Sequence, residues 1–464
     1  MPHFLNWAVT LLLAAGSSLA QAQSQSLSFE AALQRLTASS DQLAAAQAAA
    51  HGKSLQVQGM QGLGGPVVSL TATAYAYNLN LNFNLDPINQ ALANVGQLLP
   101  PSLQGPGISM PQFPSNYSYN RADNGTTQSV SAVWPLYNGG VADSVRGFVQ
   151  AQSDEALADT QKVGEELVTQ LVQRYFGAQL AAKAATLRQA ALDDITRHDA
   201  AASRMLAAGV ISRVERLQAQ AAYEEARRNA QKTRSDAELA SVALSHTLRA
   251  ETPVTPTTDL FVLTQPIEPL SYFLSAALAK HPGLAKVAAK QAQARQLHQG
   301  QEGLRKPQVF AFGQRELAFG QTDWVGGIAA RWTLYDAVDR NLLAAASQQQ
   351  IEQVKHLELQ ARSDISLLVE KNWRTLEQTR QQFLATATGV VLAQEVVRLR
   401  TAALREGTGT ALELMDAEVN QVKVETERAQ VAYDYVVALA LLLESCGLSE
   451  QFSAYASRAD IRVQ

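Results

Sequence analysis

Trp134-Pro-Leu-Tyr-Asn138 recurs as Trp332-Thr-Leu-Tyr-Asp336, about 198 residues further along the chain. Gly209 and Gly407 are separated by the same offset. These paired landmarks indicate a tandem duplication. The roughly 70 residues between each Trp and its Gly tolerate no net insertion, as expected of a packed helix and not of loops. Such a helix would measure on the order of 100 Å at 1.5 Å per residue, which is wider than an ordinary globular domain.

The composition and motifs of the 464 residues argue against several classes of function. The formal net charge is -4, and acidic and basic residues are evenly mixed, so no basic stripe for nucleic acid is present. The seven His are scattered, and no H-E-x-x-H or C-x-x-C motif occurs. We therefore expect no enzyme activity, no cofactor and no metal site. The single cysteine, Cys446, excludes an intrachain disulfide and is interpreted as a packing residue.

The first residues predict a secretory signal peptide. The apolar run 8–15 is too short to span a bilayer, and Ala20 and Ala22 suit cleavage. We assign residues 1–22 to this signal; a retained anchor is the alternative, because no Lys or Arg precedes the apolar run. No other window has 18 successive apolar residues, so any membrane insertion is expected to use strands.

A period of two in the apolar residues predicts four strands, near 67–85, 126–136, 308–319 and 324–335. In the first strand the odd positions from Tyr75 to Leu85 are apolar or aromatic, while positions 78, 80, 82 and 84 are all Asn. We interpret this strand as lying between lipid and a water-filled lumen. Before Tyr75 the phase is reversed, which a bulge would explain. Pro, Gly, Asn and Ser are frequent between 86 and 125 and predict a long exposed loop there.

Aromatic residues near the strand ends indicate where a membrane surface would lie. Trp134, Tyr137, Trp332 and Tyr335 fit an interfacial aromatic belt in contact with outer-membrane lipid. The alternative is that they are rim aromatics of a soluble sheet.

Each strand pair is followed by a long helical pattern, over 140–208 and 338–405, and each pattern ends at a glycine turn with a return helix behind it. The second return helix carries a heptad seam. The i, i+4 spacing is preserved between the copies, with Leu167, Leu171 and Tyr175 matched by Ile365, Val369 and Trp373. The predicted organisation is a first repeat over 23–251, a linker over 252–269, a second repeat over 270–447 and a C-terminal tail over 448–464.

Four strands cannot close a barrel, because the smallest transmembrane barrels have about eight. Open strand edges in lipid leave backbone groups unsatisfied at several kcal/mol each. The chain must therefore oligomerise if its strands enter a membrane. The predicted fold is mainly α with membrane β: two tandem repeats form a long α-helical barrel, and the four strands contribute to a shared β-barrel.

This arrangement resembles the TolC-like outer-membrane factors of tripartite efflux and type I secretion systems. The resemblance covers nearly all of the mature chain and is most specific at the turns, Gly209-Val-Ile-Ser-Arg-Val-Glu215 and Gly407-Thr-Gly-Thr-Ala-Leu-Glu413-Leu-Met-Asp416-Ala417. It implies a homotrimer with a twelve-stranded outer-membrane barrel and a periplasmic helical tunnel. It also implies a periplasmic adaptor and an inner-membrane transporter as partners.

The resemblance assigns roles to residues at the two turns. Adaptor-facing tips are expected at Gly209, Val210, Gly407, Thr408 and Gly409. In the family, acidic residues just after the second turn line the pore constriction, and the matching residues are Glu413 and Asp416, with Glu215 equivalent to Glu413 in the first copy. The alternative is that these acids are solvated side chains on a helix face.

The closed entrance of the family often uses an Arg two residues after the second-turn glycine. This sequence has Gly409 at that place, so no Arg is available there to form the family's ion pair with the acid at position 215. Arg213, Arg216 and Arg405 are the candidate substitutes.

Two classes of function follow from the sequence. The first is a passive exit duct in the outer membrane with a large periplasmic portion. The second is a structural coiled-coil protein of the envelope, in which the strands form a soluble cap. The strand with four Asn favours the duct. The pump would select the cargo, so drug, metal and protein export all remain open.

Overall fold

The computed structural model describes residues 25–97, 112–317, 323–335 and 337–463. The expected signal peptide, the turn near Gly320 and Asp336 lie outside the described residues. The chain forms two compact units. The helical unit comprises Met1–Gly59, Gly147–Arg295 and Ser347–Gln464, and the strand unit comprises Met60–Arg146 and Gln296–Ala346. Each unit contains segments from both sequence repeats, so neither unit corresponds to one repeat.

The helices, in chain order, are α1 (Phe29–Ser39), α2 (Asp41–Gly59), α3 (Asp86–Gln97), α4 (Val141–Ala207), α5 (Arg213–Thr247), α6 (Leu270–Lys280), α7 (Pro282–Gly303), α8 (Arg340–Arg405), α9 (Ala411–Cys446) and α10 (Phe452–Ser457). The bounds of α4 and α8 agree with the predicted long helices to within two residues. Among the described helices, only α9 is long and apolar enough to cross a membrane by composition. Its most apolar window is 61% buried in the protein, as in a core helix.

The strands are β1 (Gln25–Leu27), β2 (Val67–Asn84), β3 (Asn116–Tyr137), β4 (Val254–Pro256), β5 (Leu260–Val262), β6 (Gln308–Glu316), β7 (Trp324–Arg331) and β8 (Ile461–Val463). β2, β3, β6 and β7 form one antiparallel sheet in that order. β2 and β7 are its edges, and neither edge has a partner within the described part of the chain. All four strands of this sheet belong to the strand unit.

The prediction of a long loop over 86–125 is wrong at both ends, and its middle part, 98–111, lies outside the described residues. Residues 86–97 form α3, and β3 begins at Asn116, ten residues before the predicted start. β3 pairs with β2 residue for residue, from Val67 opposite Val133 to Asn84 opposite Asn116. These backbone hydrogen bonds pair the N–H and C=O groups of residues 116–125, whose polar composition alone would predict a loop.

The second strand pair is shorter than predicted. β7 ends at Arg331 instead of Tyr335, opposite the first residue of β6, Gln308. Pro307 precedes Gln308 and has no N–H with which to continue the ladder. The bulge expected before Tyr75 is also wrong, since the register between β2 and β3 is uninterrupted along both strands. The irregularity of the sheet lies between β3 and β6, at Pro135 and Tyr137.

The linker and the C-terminal tail expected from the sequence are packed parts of the helical unit. β1 pairs in parallel with β4, and β5 pairs antiparallel with β8. An aromatic cluster joins Phe29, Phe176, Phe261 and Phe452, which come from α1, α4, β5 and α10. All four rings are almost fully buried. The prolines between 252 and 269 flank these strands, and the apolar triplet 260–262 enters the core.

Equivalent positions of the two repeats hold the same connecting segment. The buried Tyr175 hydroxyl donates to the carbonyl of Leu27 at 2.7 Å and accepts from the backbone N–H groups of Thr257 and Thr258 at 2.9 Å each. Trp373, its counterpart in the second repeat, donates from its indole N–H to the carbonyl of Glu268 at 3.2 Å. The duplication has therefore kept an aromatic donor at this position while its acceptor has changed.

Candidate functional site

The first glycine turn closes α4 and opens α5. Gly209 has a φ of +69°, a backbone conformation that costs an L side chain about 1–2 kcal/mol. The N–H of Val210 donates to Met205 at 2.9 Å, and that of Gly209 donates to Leu206 at 3.0 Å, which satisfies the last carbonyls of α4. The Val210 side chain is 70% exposed. An apolar residue is thus presented at the end of the helix pair.

The second turn, between α8 and α9, repeats this geometry. Gly407 has a φ of +74°, and the N–H of Thr408 donates to the carbonyl of Ala403 at 2.9 Å. Gly409 donates to the same carbonyl at 3.1 Å. A Cβ on Gly409 would lie 3.0 Å from the Cβ of Ala403, tighter than an ordinary contact. The turn therefore leaves little room for a larger side chain, such as the family's Arg, at position 409.

Glu215 and Glu413 both act as helix-capping residues. Ser212 caps α5: its hydroxyl accepts from the Glu215 N–H at 3.2 Å, and the Glu215 carboxylate accepts from the Ser212 N–H at 2.6 Å. Thr410 and Glu413 make the same reciprocal pair at the start of α9, with both distances 3.2 Å. The backbone hydrogen bond from Ser212 lowers the pKa of the Glu215 carboxyl. Sequence analysis missed this role, although S-x-x-E and T-x-x-E are its local signature.

Glu413 also has a charged partner. Arg400, near the end of α8, donates from Nη1 to Glu413 Oε2 at 3.1 Å, and both side chains are about half exposed. Asp416 lies three residues further along α9, is exposed, and forms no ion pair within the described residues. Of the two predicted constriction acids on α9, Asp416 is the one whose charge is not offset inside the chain.

The Arg residues suggested as substitutes for the Arg that is absent at position 409 form no ion pair with a predicted constriction acid in the described part of the chain. Arg216 forms a two-pronged ion pair with Asp199 of α4, at 2.6 and 3.3 Å, with both side chains about four-fifths buried. Arg213 and Arg405 form no ion pair in the described part of the chain. Arg400, which the sequence analysis did not single out, is the Arg that contacts a predicted constriction acid.

A small apolar cluster fixes α9 against the first helix pair. Met415 is fully buried and packs with Ile195 of α4 and Ala219 of α5. Beside this cluster, His198 Nε2 lies 3.0 Å from Glu418 Oε1, and both side chains are largely buried. Because Met415 immediately precedes Asp416, this packing fixes the direction in which the acid leaves the helix.

The strand unit places the predicted belt aromatics at the surface. Trp134 and Tyr137 lie at the end of β3 and are about half exposed. Trp332 and Tyr335 follow the end of β7, and Tyr335 is 90% exposed. The Trp332 indole donates to the carbonyl of Arg305 at 3.2 Å, so its orientation is fixed although the residue is outside the strand.

The register of the sheet shows which side chains share the side of Trp134. Residues directly opposite each other in antiparallel strands point to the same side. Leu70 lies opposite Val130, Trp134 lies opposite Ala311, and Ala311 lies opposite Ile328. We call this side the Trp134 face: it carries the apolar side chains of Leu70, Val130, Trp134, Trp324 and Ile328, and also Arg315, which lies opposite Val130 and Trp324. The opposite side, the Ser131 face, carries a row of hydroxyl residues in the same part of β2 and β3: Ser69, Thr71, Thr73, Thr127, Ser129 and Ser131. Val67 and Val133 lie at one end of this row, and Gln314 and Glu316 of β6 lie beside it on the same face.

Comparisons with known proteins agree with this geometry. Residues 109–248 match the model of the outer membrane efflux protein family. The whole fold is similar to the outer-membrane channel OprN, with 16% identity, 90% of each chain covered and a TM-score of 0.72. This chain has the fold of a TolC-like outer-membrane factor.

Other outer-membrane factors match equally well. The CmeC channel of Campylobacter jejuni is 11% identical, with 93% of this chain and 90% of that chain covered and a TM-score of 0.73. The open-state MtrE channel of Neisseria gonorrhoeae is 15% identical, with 91% and 89% covered and a TM-score of 0.72. No curated protein matches the sequence. The predicted fold class, a mainly helical chain with a minority of barrel strands, is thereby confirmed.

Proposed function

We propose that three copies of this chain form the outer-membrane exit channel of a tripartite efflux or type I secretion system. The observation that carries this proposal is the four-stranded sheet: within the described residues its edges, β2 and β7, have no partner, and its exposed Trp134 face is mainly apolar. Such a sheet in lipid needs partners for both edges, because each unpaired backbone group costs several kcal/mol there. If β7 of each copy pairs with β2 of the next, the ring closes with twelve strands.

The channel is a passive duct located in the outer membrane, with its helices in the periplasm. An inner-membrane transporter supplies the energy, and a periplasmic adaptor joins it to the glycine turns. Val210 and Thr408, beside Gly209, Gly407 and Gly409, would contact the adaptor. The exposed apolar side chain of Val210 supports this assignment, because an unpartnered apolar residue at a helix end is stabilised by a protein contact. The duct carries out no chemistry on its cargo.

Asp416, Glu413 and Glu215 would surround the periplasmic entrance. A trimer repeats each acid three times around one axis, and a ring of carboxylates attracts cations and repels anions. On α9, Arg400 offsets part of the charge of Glu413, and Asp416 has no ion pair within the described residues, so Asp416 contributes more to this field than Glu413. The entrance is therefore expected to be cation-selective and to be blocked by multivalent cations.

The test is the state of the protein in membranes and detergent. The full chain is expected to fractionate with outer membranes, to have the mass of three chains in mild detergent, and to conduct ions across a planar bilayer. A chain that is monomeric in mild detergent, or that leaves with the soluble periplasmic fraction, would instead support a structural coiled-coil protein.

A further inference from the structure

The β2–β3 hairpin is longer than the rest of the sheet. β6 pairs with β3 only as far as Ser129, opposite Glu316. Residues 75–84 of β2 and 116–125 of β3 continue as a ribbon of two strands, which we call the outer hairpin. The Gln128 carbonyl still accepts from the Leu317 N–H at 2.8 Å, and beyond it the described residues of β3 are paired with β2 alone.

The apolar side of the hairpin changes at Tyr75. Because the register has no shift, positions of the same parity stay on the same side along each strand. Leu70 and Asn80 therefore share the Trp134 face, and Ser69 and Leu81 share the Ser131 face. On the outer hairpin the Trp134 face carries Asn78, Asn80, Asn82, Asn84, Asn116 and Asn120, and the Ser131 face carries Tyr75, Tyr77, Leu79, Leu81, Phe83, Tyr117 and Tyr119.

The packing of β2 against β3 at Tyr75 accompanies this change of the apolar side. Tyr75 lies opposite Gly125, and a Cβ on that glycine would approach the Tyr75 hydroxyl oxygen to 2.9 Å. The Tyr75 ring thus covers a position that a side chain would otherwise fill. It also stacks on the Tyr77 ring, with centroids 6.2 Å apart and planes at 17°. The aromatic row begins at this point, where the polar row of the Ser131 face ends.

The polar row identifies the side of the sheet that faces water. Ser69 and Ser131 hydrogen-bond to each other through their hydroxyls at 2.8 Å, in the part of the sheet where the Trp134 face is apolar. In a closed barrel the apolar side faces lipid and the hydroxyl side faces the lumen. The aromatic row of the outer hairpin is therefore on the lumen side. In this arrangement the Asn of β2 lie on the side away from the lumen, which differs from the interpretation of the sequence alone.

We propose that the three outer hairpins of the channel meet around its axis through their aromatic faces and narrow its outer end. This inference rests on the proposed trimer. The aromatic and aliphatic side chains of this face are 39–54% exposed in the single chain. Contact between the three faces would stabilise the trimer by about 25 cal/mol for every Å² of apolar surface removed from the water of the lumen. Among the described strands, β6 and β7 do not reach the outer hairpin, so no described strand of the same chain covers its aromatic face.

The charges on the same face suit contacts between copies. Arg121 and Asp123 both lie on the Ser131 face, opposite Leu79 and Tyr77. In a three-fold arrangement, Arg121 of one hairpin can approach Asp123 of the next. The occupant of the aromatic face is thus a second copy of this chain.

Crosslinking in the intact trimer tests this proposal. In a Cys446→Ala background, Leu81→Cys places a thiol on the aromatic face, and Asn80→Cys places one on the opposite face as a matched control. A flexible bis-maleimide is expected to link copies carrying Leu81→Cys into dimers on a denaturing gel, and not those carrying Asn80→Cys. Unlinked Leu81→Cys in a preparation that runs as a trimer overturns the inference and leaves the proposed function intact. Loss of the trimer in the background protein contradicts the proposed function instead.

The yield of crosslinked dimers in two further variants provides a second measurement. In the Leu81→Cys protein, Phe83→Asp should separate the three hairpins by mutual repulsion and lower that yield severalfold. Asn82→Asp adds the same charge on the other face and should leave the yield nearly unchanged. Equal yields from both variants and from the Leu81→Cys parent overturn the inference.

Discussion

Arg400 reaches across the second glycine turn and binds Glu413, with its Nη1 3.1 Å from Oε2. The acid that caps α9 is thus paired by the helix that precedes the turn. Gly409 occupies the place at which the family resemblance led us to expect an Arg, and the crowding against Ala403 explains why a small residue fits there. Of the two α9 acids expected at the constriction, Asp416 is the one without an ion pair within the described residues.

Replacing Asp416 with Asn should weaken block of the channel by a trivalent cation about tenfold or more, which corresponds to about 1.4 kcal/mol. In the proposed trimer the change removes three like charges from around the axis, and it breaks no hydrogen bond or ion pair within the described residues. Planar-bilayer conductance at increasing cation concentration measures it. Glu427→Gln, at an exposed acid further along α9, is the control. Unchanged block in Asp416→Asn and in the double variant with Glu413→Ala would remove both acids from the constriction.

Replacing Arg400 with Ala should have the opposite electrical effect. Glu413 would lose its counter-charge, so cation block should strengthen. The loss of stability should be below about 1 kcal/mol, because half-exposed ion pairs contribute little. Thermal unfolding and bilayer recordings of the same preparation separate the two effects. A weaker cation block in this variant would place Glu413 away from the conducting path.

Replacing Gly407 with Ala should destabilise the second turn by about 1–2 kcal/mol, because the residue would keep a left-handed backbone conformation. Gly389, inside α8, offers a control of opposite sign. A Cβ there would meet Val424 at an ordinary 3.7 Å, so Gly389→Ala should stabilise by about 0.5–1 kcal/mol. Denaturant unfolding of both variants measures the difference. Equal effects would mean that the turn relaxes around the new side chain.

Replacing Tyr175 with Phe should cost about 2–4 kcal/mol, because the backbone N–H groups of Thr257 and Thr258 lose a buried acceptor. Trp373→Phe removes a single, partly buried hydrogen bond and should cost less. Thermal unfolding of the two variants compares equivalent positions of the two repeats. A larger loss in Trp373→Phe would show that ring size matters more than the hydrogen bonds.

The Cys446 thiol should remain unreactive in the folded protein up to about pH 9, where an ordinary thiol with a pKa of about 8.5 is largely ionised. Burial raises the pKa of Cys446 to about 12, so the nucleophilic thiolate is scarce and also inaccessible. Labelling with a maleimide before and after denaturation measures this. Rapid labelling of the folded channel would contradict the packing around α9.

The long helices could be bounded from the sequence because their stop signals are local. Gly209 and Gly407 each end a helix through their own backbone conformation, and this requires no information from distant residues. The capping roles of Glu215 and Glu413 also have a local sequence signature. The sequence analysis interpreted both residues only by their charge and so missed these roles. The ion pair of Arg400 was not predictable in the same way, because it depends on how the chain reverses at the turn.

The outer hairpin could not be bounded from the sequence because strand pairing is non-local. Residues 116–125 include Asn, Asp and Gly, which are common in loops, and they are ordered by their partners in β2. The alternation around Tyr75 was visible in the sequence. The structure adds that the register continues unbroken to Leu70, which places the Asn of the outer hairpin on the Trp134 face.

The nine residues from 254 to 262 hold β1 through β4 and β8 through β5, and the aromatic donors Tyr175 and Trp373 hydrogen-bond within the segment that follows α5. Neither half of the ancestral duplication is therefore self-sufficient. A gene fragment encoding one half would lack either a terminal strand or the ring that fastens the connector. What began as two interchangeable copies has become a single inseparable protein.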